Sequence, residues 1–149
     1  MKLLHLSFFF CCVISLQAQK TSVFAERTAE YERGLDLYDK GVYGAALTAF
    51  EKSSKIDAEL VEPKADLLSM KSQLMMSKSA VRIGKPDAEM VMLSFFRNNT
   101  PDALAYEAVM DLGNYYYAKK NYEEAISFYN MVDPATLSDD QKSEIKFKQ

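Results

Sequence analysis

The sequence has no tryptophan, one histidine and two cysteines in 149 residues, with 5 glycines and 4 prolines. So few turn formers argue against a β-rich fold, which would need one at nearly every hairpin. The net charge is only −3. Basic residues are scattered among acids, which leaves no stripe for nucleic acid and no strong field toward anionic lipid. No glycine-rich phosphate loop is present.

Both cysteines and the histidine fall in the first 12 residues: His5, Cys11 and Cys12. That stretch has the layout of a secretory signal. Lys2 supplies the positive start. Leu3, Leu4, Leu6, Phe8, Phe9, Phe10, Val13, Ile14 and Leu16 form an apolar run, and Gln17-Ala18-Gln19 returns to polar. The run is too short for a membrane span, which takes roughly 20 residues. Residues 1–18 are therefore expected to be a signal peptide and 19–149 the folded part. Phe10 precedes Cys11 and apolar residues follow Cys12, which is not the setting of a lipid-modified cysteine, so no lipid anchor is expected.

Removal of residues 1–18 would leave a chain without Cys or His. Such a chain has no disulfides, no His/Cys zinc site and no Ser-His-Asp or Cys-His nucleophile. No enzyme activity, metal or cofactor is expected. Glu123-Glu124 and Asp139-Asp140 are paired acids, but neighbours on a helix diverge. Both pairs sit near expected helix starts, where negative charge is favoured.

Apolar residues recur at helical spacing nearly throughout. Phe24, Tyr31, Leu35 and Tyr38 share a face before Gly41, and Tyr43, Ala46, Leu47 and Phe50 begin another. Leu67, Met70, Leu74 and Val81 mark a longer helix, with Pro63 in its first turn. Gly84-Lys85-Pro86-Asp87 ends it, and Met90, Leu93 and Phe96 follow. Leu104, Ala108 and Leu112 lead to the turn Lys119-Lys120-Asn121. Tyr122, Ala125, Ile126 and Tyr129 return. Ser138 and Gln141 form a capping box that opens one more helix. Met70, Met75, Met76, Met90 and Met92 are read as core at this spacing. The turns are short, so consecutive helices should lie antiparallel. The pairs are expected at about 22–56, 58–99 and 102–132, with a fourth starting at 138–149.

The outer pairs repeat one pattern. Gly34-x2-Leu37 precedes Gly41-x-Tyr43-x2-Ala46-x3-Phe50, and Gly113-x2-Tyr116 precedes Lys120-x-Tyr122-x2-Ala125-x3-Tyr129. This resembles the tetratricopeptide repeat. The resemblance implies an all-α, right-handed α-solenoid. Gly34 and Gly113 would allow close helix approach, Ala46 and Ala125 would fill that space, and Phe50 and Tyr129 would plug the next repeat. The middle pair fits poorly. Ala88 lies 42 residues from Ala46 and 37 from Ala125, against a period of about 34, and the glycine position falls on Met76.

By the same resemblance, first helices line a groove for a partner peptide or helix. Its positions here are Tyr31, Leu35, Tyr38, Gln73, Ser77, Met110, Asn114 and Tyr117. A carboxylate clamp is not expected, because Tyr31, Gln73 and Met110 stand where that scheme needs Lys. The whole resembles periplasmic and outer-membrane-associated repeat proteins of Gram-negative bacteria. The expectation is a non-catalytic scaffold of the cell envelope, exported to the periplasm or outer-membrane periphery and working on another protein within an outer-membrane or envelope complex. The alternative is the sensory or docking arm of a longer signalling protein or enzyme continuing past Gln149, since Leu137, Ile145 and Phe147 would otherwise be partly uncovered.

Overall fold

The computed structural model describes residues 23–55 and 67–148. The signal-peptide reading, His5, Cys11, Cys12 and the placement of Pro63 lie outside them. Among the described residues the fold is all-α. Helix α1 runs over 23–39. It is followed by α2 (Tyr43–Ser54), α3 (Leu67–Arg82), α4 (Ala88–Asn99), α5 (Ala103–Ala118), α6 (Tyr122–Tyr129) and α7 (Asp139–Lys148). The chain divides into two units at Ser72/Gln73, inside α3.

In the first unit, α1 ends at Gly41, whose φ of 74° is left-handed. Gly41 N–H donates to Tyr38 C=O and Val42 N–H to Leu37 C=O, both at 2.9 Å. This Schellman closure satisfies the last carbonyls of α1 and reverses the chain within two residues. The helices then pack closely. A Cβ on Gly34 would lie 2.5 Å from Phe50 Cε1, and Phe50 and Ala46 are fully buried. Tyr38 and Tyr43 meet edge to face across the turn, 5.1 Å apart. Below them the joints are polar. Arg27 Nε donates to Ser53 C=O (2.8 Å), Ser53 Oγ to Ser72 Oγ (2.7 Å) and Ser69 Oγ to Ser54 C=O (3.0 Å).

The second unit repeats this plan 79 residues later. Lys120 takes the place of Gly41, with φ 61°. Its N–H donates to Tyr117 C=O (2.9 Å), and Asn121 N–H to Tyr116 C=O (3.0 Å). Tyr117 and Tyr122 meet edge to face at 5.3 Å. A Cβ on Gly113 would lie 2.6 Å from Tyr129 Cδ1. Ala125 and Tyr129 are buried like Ala46 and Phe50. In both pairs the aromatic ring therefore sits on the glycine of its own pair, and Tyr129 also shares a buried cluster with Ile145 of α7. A left-handed conformation costs a non-glycine residue about 1 kcal/mol, so Lys120→Gly should raise stability by about that much. The check is a higher urea midpoint at unchanged slope.

The middle pair has the same turn but a different register. Gly84, φ 72°, donates to Val81 C=O and Lys85 N–H to Ala80 C=O, both at 3.1 Å. Seven residues before this glycine stands Ser77, just as Gly34 and Gly113 stand seven before Gly41 and Lys120. The small residue of the pair is thus Ser77, not Met76. The turn is also one residue shorter before its alanine: Gly84 to Ala88 spans four residues, Gly41 to Ala46 five. Counting from alanine alone hides the match.

Helix α3 departs from its apolar pattern. Leu74 and Val81 are buried, but Leu67 is exposed, while Ser69, Ser72, Ser77 and Ser79 are buried. Ser72, Ser77 and Ser79 each donate to the carbonyl four residues back, at 2.7–2.9 Å. Met92 is buried, whereas Met90 is 67% exposed, against the core reading. The capping box forms: Gln141 N–H donates to Ser138 Oγ (3.2 Å) and Ser138 N–H to Gln141 Oε1 (2.9 Å). On α7 Ile145 is buried, Leu137 before it is half-buried and Phe147 is exposed.

Candidate partner-binding groove

Within the first unit an apolar groove of about 410 Å³ lies between α1 and the start of α3. Phe24, Thr28 and Tyr31 follow one another at i, i+4 and i+7 on α1, so they share a stripe. Leu67, Leu68 and Lys71 form the opposite wall, and Glu32 joins the α1 side. Phe24 is 56% and Leu67 55% exposed. Large apolar side chains this open are costly to leave in water, roughly 25 cal/mol per Å². Thr28 keeps its hydroxyl out of the groove's chemistry by donating to Phe24 C=O (2.8 Å). The Tyr31 ring is held 5.7 Å from the buried Phe50 ring. Glu32 and Lys71 put one charge of each sign on the walls.

Of the eight groove positions expected from the sequence, only Tyr31 lines this groove. Leu35 and Tyr38 are half-buried further along α1, and Gln73 is exposed. Ser77 and Met110 are buried, at 2% and 7% exposure, and present no surface. Met110 belongs to the apolar cluster with Val109, Ala125, Tyr129 and Ile145. The Asn114 side-chain oxygen already accepts from Tyr129 Oη and Lys148 Nζ, each at 2.7 Å. Lys148 Nζ also lies 5.5 Å from the Tyr117 ring centre. So α7 engages two of the three positions expected on α5. Their spacing places Phe24 and Leu67 on apolar helix faces but not among the groove positions. The signal for Phe24 is the α1 stripe, which joins it to Thr28 and Tyr31.

A polar cluster lies in the second unit. Lys78, 9% exposed, reaches Glu107 Oε1 at 2.6 Å and Asp111 Oδ2 at 3.5 Å. Burial pushes the Asp111 carboxyl above its ordinary 3.8, although Lys78 and Arg82 pull it down. Tyr116 Oη donates to Glu89 Oε2 (2.5 Å), and this bond, with burial, pushes the phenol up to about 12. Tyr129 is pushed up to about 12 by burial first, then by Glu144 and Tyr117. Both phenols stay protonated at neutral pH and act as donors. Glu123-Glu124 and Asp139-Asp140 sit exposed in the first turns of α6 and α7. Among the described residues no group of three or more His, Cys, Asp or Glu is placed to hold a metal ion. No helix among them is long and apolar enough to cross a membrane. A comparison with known protein families, with curated proteins and with solved structures finds no match.

Proposed function

We propose that this chain is a non-catalytic, exported protein-interaction module built from tetratricopeptide-type helix pairs stacked as a right-handed α-solenoid. Phe24 and Leu67, facing each other across the first unit's groove, carry the reading. Support for the repeat type comes from the glycine–aromatic packing and left-handed turn that recur 79 residues apart. Support for export comes from the tripartite pattern of residues 1–18. The partner presents an apolar segment with a basic group for Glu32 and an acidic group for Lys71, in the cell envelope.

The test is copurification from a periplasmic fraction with the wild-type chain and with Phe24→Ala/Leu67→Ala. Both side chains are exposed, so helix content and Tm should hold. Loss of two central apolar anchors should weaken the partner's binding by about tenfold or more. A double variant that retains the same partner at the same affinity removes the groove from the proposal.

A further inference from the structure

In the second unit the apolar core reaches the surface. A cavity of about 460 Å³ lies between the end of α6 and α7. Tyr129, Val132, Leu137 and Ile145 form its floor, and Lys142 and Lys146 stand on its α7 wall. Tyr129, Val132 and Ile145 belong to the unit's buried cluster, with Leu137 packed against it. The cavity is therefore an opening of the core rather than a dent in polar surface.

Its shape suits a helix. Lys142, Ile145 and Lys146 stand at i, i+3 and i+4, the ridge along which a second helix packs. Its charge selects the kind of helix. Among the described residues, no acidic side chain lines the cavity. Among the described residues Lys142 pairs with Asp139 of its own helix alone, at 3.5 Å, and that carboxylate is fully exposed. A second copy of the chain using the same face would bring lysines against lysines, because a two-fold contact matches a patch with itself.

We infer that this cavity docks an acidic amphipathic helix from a partner protein. Apolar residues at i, i+3 or i+4, and i+7 of that helix fill the floor, and flanking carboxylates meet Lys142 and Lys146. The surface is carried by second-unit residues alone and does not rest on the groove of the first unit.

The test titrates the full chain into a fluorescein-labelled helical peptide with leucines at that spacing and glutamates on both flanks. A matched peptide carries lysines instead. The acidic peptide should raise the anisotropy and bind more weakly as salt increases. Lys142→Glu/Lys146→Glu should weaken it by roughly tenfold or more and gain the lysine peptide. Both lysines are exposed, so far-UV circular dichroism and Tm should be unchanged. Phe24→Ala/Leu67→Ala should bind the acidic peptide like wild type, which separates a failure here from a failure of the first-unit groove. The inference is overturned if neither peptide binds up to about 1 mM, a free energy of only about −4 kcal/mol. Binding indifferent to the charge reversal overturns it too, as does a wild-type dimer in sedimentation that the reversal disperses, since the occupant is then a second copy.

Discussion

Gly113→Val should be among the most damaging single substitutions in the chain, costing about 3 kcal/mol. A Cβ there would lie only 2.3–2.9 Å from three atoms of the Tyr129 ring. That ring is buried, and its hydroxyl is bonded to Asn114 at 2.7 Å, so it has nowhere to move. Overpacking of this kind costs typically 1–3 kcal/mol, and the β-branch adds two more methyl groups to the clash. Gly113→Ala is the more informative variant. Alanine gains about 1 kcal/mol of helix propensity over glycine, which offsets part of the clash and leaves a smaller net loss. In a Tyr129→Ala background the ring is gone, and the same Gly113→Ala change should become stabilising. This reversal of sign is the coupling that a double-mutant cycle isolates. Gly34 and Phe50 should behave alike. Gly44, exposed on α2 with nothing within 4 Å of its would-be Cβ, is the control: Gly44→Ala should stabilise by about 0.5–1 kcal/mol. Urea unfolding of the set checks all of these. Equal effects of Gly44→Ala and Gly113→Ala would sink the close-approach argument.

Lys78→Met should cost about 2–3 kcal/mol at pH 7 and less in acid. Lys78 is the buried cation facing Glu107 and Asp111. Removing one partner of a buried pair costs 3–5 kcal/mol. The smaller figure reflects the partial exposure of both carboxylates and the ability of Asp111 to take up a proton. The pH dependence follows from the direction of its shift. The folded-state pKa of Asp111 is raised, by burial above all. Its contribution is therefore fully present below the ordinary 3.8 and lost as pH rises through the raised value. Lys78 pulls that value down, so its removal raises it further and extends the loss toward neutral pH. By the same sign, Asp111→Asn should be neutral or stabilising at pH 7, since Lys78 keeps Glu107 at 2.6 Å. Stability measured from pH 4 to 8 separates the two variants. If Asp111→Asn proves as harmful as Lys78→Met, desolvation is not the dominant effect at Asp111.

The helices and their pairing were legible because they rest on local spacing. Gly34, Ala46 and Phe50, with Gly113, Ala125 and Tyr129, are recognisable from intervals alone, and all six are buried. The contact of each aromatic ring with the glycine of its own pair was not legible. Interval fixes its place on the helix, whereas its partner is set by how closely the two helices of one pair approach. The central helix misled for another reason. A buried serine can satisfy its hydroxyl on its own helix, so polarity at Ser72, Ser77 and Ser79 does not mark a solvent face. Lys78 was hidden because its partners lie 29 and 33 residues away, on another helix. The groove was mostly missed for the converse reason. Phe24 and Leu67 have the spacing of core residues, and only the packing shows that nothing among the described residues covers them fully.

The ring-on-glycine packing has a consequence for cooperativity. If the helix pairs stack linearly as proposed, total stability is an intrinsic part for each unit plus a coupling between neighbours. Phe50 on Gly34 and Tyr129 on Gly113 put a large aromatic contact into the intrinsic part. Each outer pair then opens and closes chiefly as its own unit. Amide exchange should group α1 with α2, and α5 with α6, ahead of any grouping across the linkers.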